Sequence, residues 1–194
     1  MPHCDLWVRL KVVDLVAQTA WMTLTEKLGL EGELLGLARY SFWRMEIEAD
    51  DGQAALDEID RVIRLDSAFT NQNKHLYMLG MDEGPIRGDL RLDKDYPVLV
   101  EKGEGRSGYA VDCLVRELDT EREESYRGRL NARLENVQVT GLVAGEVWRI
   151  LLEAGNEKEA EQKVERIAVT TSRREGLLLN PHYQRLEILS TAPV

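Results

Sequence analysis

Gly103-Glu104-Gly105-Arg106-Ser107-Gly108 spells G-x-G-x-x-G, the pattern that lets a backbone turn approach a dinucleotide pyrophosphate. That chemistry needs a strand before the turn and a helix after it, so that phosphate meets the helix N-terminus. Here Tyr109 to Val115 alternates like a strand, and the hexapeptide is expected to be linker. His3, His75 and His182 share no metal-ligand spacing with one another or with Cys4 and Cys113. His75 and His182 occupy related places ahead of two final strands, as surface or loop histidines. Each cysteine falls on or beside a predicted strand, where a small buried thiol is the expectation. No nucleophile elbow, phosphate-cradling loop or Cys–His arrangement is present in the sequence. Glu157, Glu159, Glu161 and Glu165 alternate with Lys158 and Lys163 as a solvated helix face does. Trp43 and Trp148 are able to stack on a base or sugar, but their matched inward positions predict core packing. The reading therefore assigns no catalytic, cofactor-binding or metal residue.

The elements that hold these residues are organised by a repeat. Leu37 to Ala49 returns as Leu142 to Ala154, at an offset of 105 (142 − 37) without a gap. Leu, Trp-Arg and Glu-Ala are identical in the two, and apolar residues exchange for apolar residues between them. Each copy is expected to form two short β-segments joined by a tight turn, at Tyr40-Ser41 or Gly145-Glu146. Trp43, Met45, Ile47 and Ala49 then share one face, matched by Trp148, Ile150, Leu152 and Ala154. Arg44, Glu46 and Glu48 take the opposite, wet face.

Around this hairpin the first copy predicts a strand with Leu6, Val8, Leu10 and Val12 inward and Trp7, Arg9 and Lys11 outward. A helix through Ala17, Ala20, Trp21, Leu24 and Leu28 follows, stopping at Gly29. Asp50 or Asp51 caps a second helix with an Ala55, Ile59, Val62, Ile63 stripe, and a last strand runs from Leu76 to Leu79. The second copy repeats the order with Val111, Cys113 and Val115, then Tyr126, Leu130 and Leu134, then Ala160, Val164, Ile167 and Ala168, then Leu186 to Leu189. The fold class is α+β, two tandem ferredoxin-like β-α-β-β-α-β units packed together. The repeats span residues 1–80 and 109–194, and a linker at 81–108 carries a possible edge strand at Tyr96 to Val100. A unit of about 75 residues is near the lower size limit for a core of its own, so the two are expected to share apolar surface.

The chain has 194 residues, 43% hydrophobic and 31% charged, and a net charge of −10, which argues against a nucleic-acid ligand. With no apolar stretch of spanning length and no signal-peptide pattern, the expectation is a cytoplasmic protein without membrane contact.

The ends of the copies resemble the PurS family, the small subunit of phosphoribosylformylglycinamidine synthase. Leu178-Leu179-Asn180-Pro181-His182-Tyr183-Gln184-Arg185-Leu186-Glu187-Ile188 is similar to that family's closing L-L-A-N-P-V-I-E-D-Y-E-I segment, one residue shorter before the Asn. Asn71 to Tyr77 keeps the Asn-to-Tyr spacing without the proline. Leu37 to Ile47 and Leu142 to Leu152 are similar to its V-R-x-G-K-x-x-E-L-x-L hairpin, although only Gly145 of the Gly-Lys turn survives. The family's early Lys-Pro-Gly turn is absent from both copies. The resemblance implies a PurS-like dimer fused into one chain. It further implies a non-catalytic assembly subunit in de novo purine biosynthesis, bridging glutaminase and synthetase subunits of an ATP- and glutamine-dependent ligase complex. It implies no cofactor, and leaves open a homo-oligomer. The alternative is a duplicated ferredoxin-like regulatory protein that senses a small molecule; a third is an enzyme built in a cleft between the copies.

Overall fold

A computed structural model describes residues 2–81, 84–92, 98–99, 108–172 and 175–194. The first repeat runs β1 (His3–Leu10), α1 (Leu15–Met22), a π-helical turn (Thr23–Lys27), β2 (Leu34–Glu48), α2 (Gly52–Leu65) and β3 (His75–Met81). Two short strands, β4 (Ile86–Arg87) and β5 (Val98–Leu99), precede the second repeat. That repeat runs β6 (Gly108–Glu117), α3 (Glu121–Asn131), β7 (Gln138–Glu153), α4 (Glu157–Ala168) and β8 (Gln184–Pro193). Helices and antiparallel sheet make the class α+β.

The predicted tight turns do not form. β2 is one strand of 15 residues and β7 one of 16, each running straight through the expected turn. A two-residue hairpin turn needs positive φ at one central position at least. Among the described residues, only Gly29, Gly88 and Gly176 have it. Tyr40, far from turning outward, is 1% exposed. Each repeat is thus β-α-β-α-β, with one long strand where a hairpin was expected.

The chain gathers into two compact units, and neither is a continuous stretch. The first takes residues 1–12, 40–91 and 119–145, and so includes α3 and the start of β7. Its strands are ordered β4-β3-β1-β2-β7. Leu6 of β1 lies opposite both Trp43 and Leu79, which sets the register. One face carries the core: Cys4, Leu6, Trp43, Met45 and Ile47 from the strands, Ile59 and Ile63 from α2, and Leu130 and Val139 from the 119–145 segment. Asp51 caps α2, its carboxylate accepting the Gln53 and Ala54 N–H groups at 2.8 and 3.2 Å. The predicted stripe of α2 is fully buried.

The other face of the first unit's sheet departs from the wet expectation. Trp7 is buried, with its ring edge-on to Tyr40 and Phe42 at 5.7 and 5.0 Å between centroids. An aromatic cluster on this face explains why Trp7 does not follow Lys11 outward. Arg44 is also no free surface charge. Its guanidinium donates to both Asp5 oxygens at 2.8 and 2.7 Å and lies over the Phe42 ring. Ala49, expected inward, is exposed, one residue past the end of β2. Val12, also expected inward, is exposed, since β1 ends at Leu10.

Where α2 ends, the buried Asp66 carboxylate receives Arg129 at 2.8 Å and Arg133 at 3.1 Å, tying α2 to the end of α3. The Arg129 hydrogen bond, more than any other influence, holds the Asp66 carboxyl below the usual carboxylate range. A depressed folded-state pKa stabilises the fold above the unfolded pKa and loses that contribution as pH falls through the lower value. Asp66→Asn should therefore cost about 1–2 kcal/mol at pH 7, both arginines being half exposed. Urea titrations at pH 7 and at about pH 2.5 measure the gap between wild type and variant, which should shrink at the lower pH. A gap of unchanged size there overturns this account.

The second unit takes residues 13–39, 92–118 and 146–194, and so includes α1 and the start of β2. Its strands are ordered β2-β7-β6-β8, and β5 adds to β2 at Gly36 and Leu37. The edge-strand expectation is met at Val98 and Leu99; Tyr96, Pro97 and Val100 lie outside the described residues. The core joins Val111, Cys113, Trp148, Ile150 and Leu152 to Val164 and Ile167 of α4 and to Ala17, Ala20 and Leu24 from the first repeat's helical segment. Asp14 caps α1, and Gly29, at φ 74°, ends the helical stretch as expected.

Candidate functional site

The two repeats place the same elements in the same roles, so their differences show what the fold does not require. In register, Leu6 faces Trp43 as Cys113 faces Trp148. The first strands therefore correspond at an offset of 107 (113 − 6), two more than the hairpin repeat. That shift aligns Asp5 with Asp112. The Arg of each Trp-Arg pair then has the same partner: Arg149 donates to both Asp112 oxygens at 2.6 and 2.7 Å, as Arg44 does to Asp5. Asp112 is 4% exposed and also accepts from Ser190 at 2.9 Å, while Arg149 further donates to the Leu92 carbonyl. The sequence reading missed this pair; the Trp-Arg dipeptide held in both copies was its signal.

The turn before the last strand is also shared. The Asn71 side chain accepts the Asn73 N–H and the Asn180 side chain the His182 N–H, both at 3.0 Å. The Asn71 N–H donates to His75 Nδ1, and the Asn180 N–H to Gln184 Oε1. His75 thus corresponds to Gln184, and His182 to Asn73, on an exposed turn.

The tryptophans diverge. In the first unit Trp43 is closed over by Phe69 and Tyr126, with ring centroids 5.6 and 5.7 Å away. In the second unit Trp148 instead borders an open groove of about 500 Å³ walled by Leu15, Val16, Thr19, Ala20, Leu177 and Leu178. The Arg39 guanidinium sits 6.0 Å from the Trp148 ring and pairs with Asp14 and Glu146. Leu15, Val16 and Met22 are exposed by 71%, 51% and 48%. Single exposed apolar residues are ordinary, but neighbouring ones on one uncharged helix form a patch. At the matching helix of the first unit the outward residues are Glu121, Arg122, Glu124 and Arg129. α3 holds this position with a charged outer face, so the fold does not require the apolar outer face of α1.

The remaining sequence candidates stay apart. His3 lies on β1 opposite Glu46. Cys4 and Cys113 are buried free thiols; burial, helped by Asp5, pushes Cys4 up to about 12, and burial, helped by Asp112, pushes Cys113 up as well. Glu159 pairs with Lys163 at 2.9 Å on the solvated face of α4. Gly103 to Ser107 lie outside the described residues, and Gly108 opens β6. Among the described residues no three His, Cys, Asp or Glu side chains gather as a metal site, and no helix is long and apolar enough to cross a membrane. Comparison with protein families, curated proteins and solved structures finds no match to this chain.

Proposed function

We propose that the chain is a non-catalytic assembly subunit, and that the α1 groove beside Trp148 receives an apolar segment of a larger partner subunit. The observation that carries this reading is the uncharged outer face of α1, from Leu15 to Met22, at a position where the other repeat is charged. A groove lined by leucine, valine and the edge of a tryptophan suits an apolar anchor residue, the usual centre of a protein interface. Each unit, whose long strands run in the order last, first, long and the other repeat's long strand beside one short strand, is read as a ferredoxin-like fold completed by exchange. The resemblance to PurS then suggests the partners: the glutaminase and synthetase subunits of a phosphoribosylformylglycinamidine synthase, in the cytoplasm. A clamp that fixes two active sites raises the efficiency of passing ammonia between them.

The test adds the chain to such a synthetase and glutaminase. Glutamine-dependent turnover should rise, ammonia-dependent turnover should change much less, and Val16→Glu should abolish the rise by placing a charge in the groove. No effect on either rate, with no co-migration on a sizing column, removes the reading.

A further inference from the structure

The first unit carries a second cleft, of about 440 Å³, between α2, the Asn71 turn and the loop after β4. That size is within the range of small-molecule sites. In a chain of net charge −10 its wall brings Lys11, Arg64 and Arg87 together beside Asp60 and Asp89. Asp60 is already engaged, accepting the Tyr77 hydroxyl at 2.7 Å, and Arg64 reaches it only at 3.6 Å. Lys11 donates to the neutral Gln72 carbonyl at 2.5 Å. His75 accepts the Asn71 N–H on Nδ1 at 3.1 Å, which leaves its ring proton on Nε2 as a donor. Arg87 is held by Asp57 and frames the rim.

The rim is fixed by its backbone. Gly88 has φ 87°, and a side chain there would meet the Tyr77 carbonyl at 2.1 Å. Leu90, fully buried, donates its N–H to that same carbonyl at 3.0 Å. The fold itself does not require the polar groups. Lys11 N–H bonds the Lys74 carbonyl as Leu118 N–H bonds that of Tyr183, so Leu118 stands in the place of Lys11. Val169 stands in the place of Arg64 (169 − 64 = 105) and Gln184 in that of His75.

We infer that this cleft binds a small anion, a phosphate or carboxylate group, through Lys11, Arg64 and His75. Lys11, bonded to a neutral carbonyl, Arg64, held to Asp60 only at 3.6 Å, and one neutral N–H donor match the acceptor oxygens of either group. The site is independent of the α1 groove, and would give the protein an effector-responsive surface apart from its docking face.

The experiment titrates the intact chain calorimetrically with inorganic phosphate and, separately, with succinate. Saturable one-to-one binding of either is expected, weakening as salt rises. Lys11→Leu/Arg64→Val/His75→Gln, which installs the second repeat's own residues, should weaken it at least about tenfold. Should the triple variant fail to fold, Arg64→Val alone is followed by the His75 ring signals in NMR, and should lose most of the ligand-induced shift. Saturation by phosphate alone or by succinate alone identifies the group. No saturation by either up to about 10 mM, or equal affinity in wild type and variant, overturns the proposal.

Discussion

A fragment ending at Leu79 should not fold as a monomer. The first unit draws Tyr126, Leu130, Val137 and Val139 from residues 119–145, beyond any cut at the repeat boundary. Losing two fully buried residues of this size costs about 2–5 kcal/mol each, and α3 and the β7 pairing go with them. A small domain has only about 5–15 kcal/mol in total. The same fragment holds Ala17, Ala20 and Leu24, whose packing partners Val111, Trp148 and Ile150 lie in the second repeat. Circular dichroism and sedimentation of the fragment should show an unfolded or self-associated species. Mixing it with residues 108–194 should restore structure by supplying the missing segments. A stable, soluble monomer from residues 1–79 alone contradicts the packing described for the first unit.

Trp43→Ala should cost roughly 3–5 kcal/mol, as full removal of a buried indole does. The ring is 5% exposed and held between Phe69 and Tyr126, so its loss also undoes two edge-on aromatic contacts. Trp148→Ala should cost less, because that ring borders an open groove and leaves a smaller enclosed void. The Trp43 Nε1–H is buried without a hydrogen-bond partner, so Trp43→Phe should cost far less than Trp43→Ala. Urea denaturation of the three variants checks the ranking. Equal losses for Trp43→Ala and Trp148→Ala contradict the difference in closure.

The sequence made the local elements readable because their signals are local. The α2 and α4 stripes recur at helical spacing, the first after a cap read as Asp50 or Asp51, and every stripe residue is buried. β1 showed Leu6 and Val8 inward, but alternation alone does not reveal a second cover, and Trp7 turned out to be buried too. The hairpin reading failed for a related reason. Alternation continues across Tyr40-Ser41, and two strands with a turn have the same pattern as one strand without it. Which helix covers which sheet was not legible at all, since an apolar stripe marks that a helix face is buried and not which sheet buries it. The candidate docking face was half visible: Leu15, Val16 and Met22 are plain in the sequence, but their exposure follows from the side of α1 that meets the core. Of the anion cleft the sequence showed only His75 and Lys11 as separate residues, because Lys11, Arg64 and Arg87 come together from three separate segments.

The interleaving of segments also sets a timetable for synthesis. Residues 1–12 and 40–91 leave the ribosome before the 119–145 segment that completes their core. At about 5–20 residues per second, the wait from residue 12 to residue 119 is on the order of 5–20 s. During it β1 and α2 expose apolar faces with no finished sheet to bury them. The wait is longer for α1, whose core includes Val164 and Ile167. Until residues 164–167 have emerged the nascent chain therefore offers a holding chaperone apolar faces to cover, and a stall before them would release a species prone to aggregate.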